Sequence, residues 1–192
     1  MKIALATANP DKLREIEDLL AGIAVEGAPD GFDVDETGST LLQNAWLKAA
    51  ELRRVKPADT VVVADDSGLF VHAIGGRPGV FSSRYAGPGA TYEDNCRRLL
   101  EELDGVEDRR ACFATVLVGL GGRGEVYVAE GTCPGTITHA PRGERGFGYD
   151  PVFQPLDDPG GRTMAQMSRR EKGAVSHRGR AVRRLAGALG QA

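Results

Sequence analysis

Apolar residues follow two rhythms along this chain. Ile3-Ala4-Leu5-Ala6 is a short continuous apolar run after Lys2 and reads as a strand. Asn9 then suits a helix N-cap, with Pro10 at the first helical position and Asp11 in the first turn. Leu13, Ile16 and Leu20 follow at helical spacing, so the opening unit is strand, tight turn, helix. Residues 27–38 are acidic and contain glycine, which predicts a loop with at most a short strand. Ser39-Thr40 opens a second helix whose apolar positions Leu41, Leu42, Ala45, Ala49 and Leu52 run to a stop before Pro57. Val61-Val62-Val63-Ala64 predicts a buried strand that ends at Asp65-Asp66-Ser67-Gly68. Residues 75–90 are dense in Gly and Pro and predict an irregular, functional surface loop. Thr91-Tyr92-Glu93-Asp94 has the form of a capping box and starts a helix to Leu103. Residues 111–120 and 125–130 predict a hairpin turning at Gly121-Gly122. Residues 143–151 form a Gly-rich loop around Phe147, and a last helix, about 176–189, buries Val182, Leu185 and Leu189 before Gly190. Strands alternating with helices make the class α/β with a mixed sheet.

Composition narrows the picture. The 192 residues, 41% hydrophobic and 27% charged, suit one globular domain with a real core and not a disordered chain. No apolar run approaches the ~20 residues that cross a bilayer. The first apolar stretch is too short for a signal h-region before Asn9-Pro10-Asp11 interrupts it, so a water-soluble, cytoplasmic protein is expected. Cys96, Cys112 and Cys133 are odd in number and lack C-x-x-C spacing, which favours buried or incidental thiols over a disulfide framework or a zinc site. The net charge of −3 hides an asymmetry: from Gly161 onward eight Arg or Lys face one acid, Glu171. A basic tail beside an acidic body fits either a polyanionic ligand or a solvated helix face. The tract has no interleaved aromatics, which argues against a nucleic-acid-binding module.

Four segments can carry chemistry. Asp65 and Asp66 at the end of a buried strand need a compensating cation or donors, and a hard ion such as Mg²⁺ is a natural partner; an N-cap or turn role for either Asp explains the pattern equally well. The turn from Thr7 to Lys12 offers helix-end amides, hydroxyl and amide side chains and an ammonium, an anion cradle or simply a capped surface helix. Lys172 and Ser176-His177-Arg178 place donors suited to phosphate or a purine carbonyl, or a helix start with no ligand. Phe147-Gly148-Tyr149-Asp150 sets an aromatic on a flexible loop, either a shelf for a flat base or a lid on the core.

Together these segments meet the needs of a nucleoside triphosphate site, and they resemble a family. Thr7-Ala8-Asn9-Pro10-Asp11-Lys12, Ala64-Asp65-Asp66-Ser67-Gly68, Phe147-Gly148-Tyr149-Asp150 and Ser176-His177-Arg178 stand in the order and approximate spacing of the inosine triphosphate pyrophosphatases, the XTP/ITP/dITP diphosphatases of the RdgB/HAM type. Asp35-Glu36-Thr37-Gly38 before a helix with Asn44-Ala45 and Lys48-Ala49 is similar too, as is Gly76-Arg77-Pro78-Gly79 leading to Ser83-Arg84-Tyr85. Ala8 stands where Gly is usual and Cys133 where an aromatic is common. The resemblance implies a single ITPase-like domain over residues 1–192: an elongated α/β protein with a mixed sheet flanked by helices, two lobes with a cleft, and a homodimer. It implies cleavage of purine nucleoside triphosphates to monophosphate and pyrophosphate with Mg²⁺ as cofactor, and no membrane or nucleic-acid partner. Residue by residue, Thr7, Ala8, Asn9, Pro10, Asp11 and Lys12 would hold the triphosphate and Ser67 would contact the substrate. Glu36 and Asp66 would bind Mg²⁺, with Asp66 also the base orienting water. Phe147, Gly148, Tyr149, Asp150, Lys172, His177 and Arg178 would surround the purine. Two rivals are a nucleotide sensor that binds without hydrolysis and a nucleic-acid-binding module.

Overall fold

The computed structural model describes residues 1–20 and 22–190. In chain order the elements are β1 (Lys2–Leu5), α1 (Pro10–Leu19), β2 (Ala24–Glu26), α2 (Leu41–Arg53), β3 (Thr60–Val71), β4 (Pro78–Gly79), α3 (Tyr92–Glu102), β5 (Arg110–Leu120), β6 (Val126–Ile137), β7 (Phe153–Pro155), α4 (Arg169–Val175) and α5 (His177–Ala188). One sheet runs in the order β2-β1-β3-β5-β6-β7, with β4 paired to β3. β1 is parallel to both β2 and β3, whereas β3–β4 and β6–β7 are antiparallel, so the sheet is mixed and the class is α/β as the pattern implies. Among the described residues no helix is long and apolar enough to cross a membrane.

Contacts divide the chain into two compact units: 1–66, 115–131 and 178 onward in the first, 67–114 and 132–177 in the second. Each has its own apolar core. In the first unit Ile3, Leu5 and Val63 pack with Ile16 and Leu20 of the α1 segment and Ala181, Val182 and Leu185 of α5. In the second, Leu69, Val71, Leu99, Phe113, Ile137, Phe153 and Met164 form the centre. Complete burial of one such side chain is worth roughly 1.5–3 kcal/mol, so each helix is held chiefly by its buried stripe.

Local chemistry sets the helix starts. The Asn9 side chain accepts from the Asp11 and Lys12 amides, with Pro10 just inside the helix. Thr40 caps α2, and Thr91 with Asp94 completes a reciprocal capping box on α3. Three expectations are corrected. β3 does not stop at Ala64 but continues through Asp65 and Asp66 to Val71, because cations and donors satisfy both carboxylates inside the strand. β6 does not end at Glu130: its inward positions continue as Ala129, Gly131, Cys133, Gly135 and Ile137, an alternation written mostly in small residues. Residues 75–90 hold β4 and a 3-10 turn at Ser82–Arg84. The predicted final segment is preceded by a separate capped helix, α4, with Ser168 and Glu171 as its box.

Candidate active site

Adjacent strand residues point to opposite faces of a sheet, and this separates Asp65 from Asp66. Asp65 goes with Val63 to the face where α1 and α5 pack; Asp66 goes to the face met by α2. In the parallel β1–β3 pair the last register match is Leu5↔Val63, so both carboxylates lie just past the carboxyl end of β1, where the chain turns into α1. That is where open α/β sheets bind ligands.

Asp65 is a hub. Its Oδ1 accepts from Lys12 Nζ at 2.6 Å; its Oδ2 accepts from Arg178 Nε at 2.8 Å and from the Thr115 hydroxyl at 3.1 Å. Arg178 Nη1 also donates to Glu15 at 2.6 Å, and Thr115 donates to the Asp66 carbonyl at 3.0 Å. Burial alone would raise the Asp65 pKa, but Arg178 and Lys12 overcome it and hold the carboxyl well below the usual range. Burial likewise opposes the charge on Arg178, and Asp65 and Glu15 outweigh it. Arg178, expected beside a purine, thus has its guanidinium on two carboxylates of the first unit.

Asp66 is held differently. Lys48 Nζ donates to its Oδ1 at 2.7 Å and to Glu36 Oε1 at 3.0 Å, while Asn44 Nδ2 lies 3.4 Å from its Oδ2. Burial pushes the Asp66 pKa up, Lys48 and Lys12 pull it down, Glu36 adds to the rise, and the net direction is upward. Burial resists the charge on Lys48, but Asp66 and Glu36 more than restore it. Counted together, the carboxylates of Glu15, Glu36, Asp65 and Asp66 share three cations, Lys12, Lys48 and Arg178. Among the described residues no three His, Cys, Asp or Glu side chains converge as a ready-made metal cage. The pair Glu36 and Asp66 nevertheless suits Mg²⁺, which takes one or two hard protein carboxylates and completes its shell with water and phosphate oxygens.

The α1 turn is built as a cap. Thr7 Oγ1 accepts from the Asn9 amide at 3.1 Å, and Asn9 occupies the Asp11 and Lys12 amides. Asp11 pairs with Arg14 on the helix surface, and Ala8 and Pro10 are exposed. Lys12, rather than the amides, carries the charge available there.

The second unit gathers another set. Asp150 is buried; its Oδ2 accepts from the Phe147 amide at 2.8 Å and from Lys172 Nζ at 2.5 Å. Gly146, at φ 74°, fits because a Cβ there would stand 2.0 Å from the same oxygen. The Lys172 ammonium also lies 4.7 Å from the centre of the Phe147 ring, and the Tyr92 ring leans on Phe147 at 5.8 Å. Tyr149 is a core residue whose hydroxyl donates to the Ser82 carbonyl at 2.9 Å, and Cys96 Sγ contacts the Gly148 carbonyl at 3.3 Å. Burial pushes the Cys96 thiol up to about 12, which makes it a packing group and not a nucleophile. His177 is buried and stacks on Phe113, centroids 4.6 Å apart. Ser67 follows Asp66 in β3 and is half-buried.

The Ham1 family profile matches residues 3–188. The chain belongs to the Ham1 family. It is 49% identical over 193 residues to the dITP/XTP pyrophosphatase of Geobacillus kaustophilus, with 96% of this chain and 92% of that protein covered. It is 44% identical over 196 residues to the dITP/XTP pyrophosphatase of Shigella flexneri, with 98% of each covered. The solved structure of the Staphylococcus aureus Ham1 protein matches with a TM-score of 0.86 at 39% identity, covering 99% of this chain and 98% of that one. In this Ham1 chain the resemblance names Glu36, Asp66 and Lys12 and gives no role to Lys48, Glu15 or Thr115, which the structure ties into the same polar network. Lys48 did carry a signal: it interrupts the buried stripe Leu41, Asn44, Ala45, Lys48, Ala49, Leu52 of α2, and a buried ammonium needs partners.

Proposed function

We propose that this chain hydrolyses deaminated purine nucleoside triphosphates, dITP, XTP and ITP, to the monophosphate and pyrophosphate with Mg²⁺. What carries the reading is the unequal treatment of two neighbouring carboxylates. Asp65 is locked as an anion between two cations, while Asp66, raised in pKa and paired with Glu36 across Lys48, keeps the character of a base and a ligand. The similarity to dITP/XTP pyrophosphatases supplies the substrate class.

In this mechanism Lys12 binds phosphate oxygens at the start of α1, and Asp65 keeps its ammonium charged and aimed. Asp66 orients the attacking water and takes its proton as the phosphoanhydride opens and pyrophosphate departs. Lys48 bridges Asp66 and Glu36 and offsets the repulsion between them. Mg²⁺ held by Glu36 and Asp66 would neutralise phosphate charge and make water easier to deprotonate. For the base, Phe147 offers a ring, and Lys172, fixed by Asp150, offers only donors. A donor-only group fits the 6-oxo oxygen of a deaminated purine and opposes the amino group of adenine, a difference of about 1–3 kcal/mol per mismatched group.

A panel of ITP, dITP, XTP and the four common triphosphates with Mg²⁺, followed by pyrophosphate release, tests the reading. Turnover of the three deaminated substrates at least ~10-fold above ATP is expected; equal turnover of all, or bound triphosphate left intact, refutes it. The reading extends to a cytoplasmic homodimer. Light scattering should then give twice the monomer mass, and a monomer at all concentrations would remove that part. The rival nucleic-acid module loses ground because Lys172, Arg178 and Arg162 of the basic tract are engaged in ion pairs with Asp150, Asp65, Glu15, Asp158 and Glu171.

A further inference from the structure

Asn44 is wholly buried on the apolar stripe of α2, one turn before Lys48. Asparagine is a poor helix former, and an amide in such a stripe is unfavourable unless its polar atoms are satisfied. Here they are satisfied in a particular way. Asn44 Oδ1 accepts from the Gly38 amide at 2.8 Å, which orients the side chain so that Nδ2 faces Asp66 Oδ2 at 3.4 Å. Lys48 takes the other Asp66 oxygen and reaches Glu36. Two side chains at i and i+4 of one helix therefore address both oxygens of Asp66, and each also holds the 36–38 segment, Lys48 through the Glu36 carboxylate and Asn44 through the Gly38 backbone. The segment comes so close that a Cβ at Gly38 would lie 2.6 Å from both Asn44 Oδ1 and the Cβ of Gln43.

We infer that Asn44 is a positioning residue that fixes Glu36 and Asp66 relative to each other so that the two carboxylates can share a divalent cation. An amide is the group for this: it accepts from a backbone N–H on one side and donates to a carboxylate on the other. A carboxylate at this position would repel Asp66, and an aliphatic side chain would leave the Gly38 amide without its acceptor. Asn44 does not touch the reacting atoms. Its role rests on the reading of Glu36 and Asp66 as the cation ligands.

The test is Mn²⁺ binding, measured by electron paramagnetic resonance with and without inorganic pyrophosphate, on the wild type, Asn44→Ala, Gly38→Ala and the double variant, each with its thermal midpoint. Groups that orient metal ligands typically change affinity by 10–100-fold. Both single variants should weaken Mn²⁺ binding at least ~10-fold, and the Mg²⁺ concentration giving half-maximal activity should rise by a similar factor while kcat at saturating Mg²⁺ stays within about threefold. The double variant should lose clearly less than the sum of the two single losses, because removing the amide removes its part of the clash with the new Cβ while the contact with the Gln43 Cβ stays. Asn44→Ala removes the amide alone, and Gly38→Ala perturbs the same segment by pushing it off both Asn44 and Gln43, so if one single variant fails to fold the other still tests the coupling. Wild-type binding with unchanged Mn²⁺ affinity in either folded single variant, or additive losses that follow the thermal midpoint, overturns the inference alone. A wild type that binds no Mn²⁺ overturns the cation reading and the positioning role with it.

Discussion

Asp66→Asn should lower kcat/KM for ITP at least ~100-fold, about 2.7 kcal/mol of transition-state stabilisation, with the fold intact. The amide keeps the size and one acceptor oxygen, but it loses the charge that would hold the cation and the basicity that would take a proton from water. The stability side follows from the direction of the pKa. Burial disfavours ionised Asp66 more than Lys48 favours it, so a neutral group in its place relieves the native state at neutral pH and does not strain it. Lys48 retains Glu36 as a partner. A thermal midpoint within a few degrees of the wild type is therefore expected beside the loss of activity. Pyrophosphate release and calorimetry on the same preparation check both. Activity within tenfold of the wild type would remove Asp66 from the chemistry; a collapsed midpoint would make it a structural residue.

Which parts of this were legible follows from where the determining partners lie. The caps at Asn9, Thr40 and Thr91 were readable because each partner sits within three residues. β1 and the start of β3 were readable because continuous apolar runs need burial on both faces. The fate of the two aspartates was not, since Asp65 meets Lys12 across 53 residues and Arg178 across 113. Without those partners, paired acids look like a strand end, and the chain breaks there on paper but not in the fold. β6 was cut short for a different reason: its inner face is lined by Ala129, Gly131, Cys133 and Gly135, small residues that make no visible alternation of size. A guanidinium after His177 suits phosphate or a purine carbonyl alike, and the resemblance alone puts Arg178 beside the purine; its pairing with Asp65 and Glu15 is visible only in the fold. Lys12 and Asp66 stood out as candidates because they border a capped turn and a strand run whose local grammar is strong, whereas Glu36, in an acidic loop, was named only through the family resemblance.

Asp65→Asn, one residue away from Asp66, should give the opposite outcome for stability: a loss of about 3–5 kcal/mol at pH 7, together with weakened catalysis. Asp65 and Arg178 are almost fully buried, and Lys12 is mostly so, so removing the one carboxylate they share leaves cationic charge without its counterion in a low-dielectric setting. Arg178 keeps Glu15, but Lys12 loses its carboxylate partner and its aim. The pH dependence has a definite sign. The folded pKa of Asp65 is depressed, so its contribution is complete above the unfolded value, about 3.9, and is lost as pH falls through the lower folded value. Urea unfolding should therefore show a constant gap between wild type and Asp65→Asn from pH 7 to pH 5 that narrows below about pH 4. Arg178→Met in the Asp65→Asn background should recover part of the loss, because it removes the charge that the first substitution stranded. A gap under ~1 kcal/mol at pH 7, or one that stays constant down to pH 2.5, would mean that Lys12 and Arg178 find other partners, and that the charged hub does not set where Lys12 stands at the start of α1.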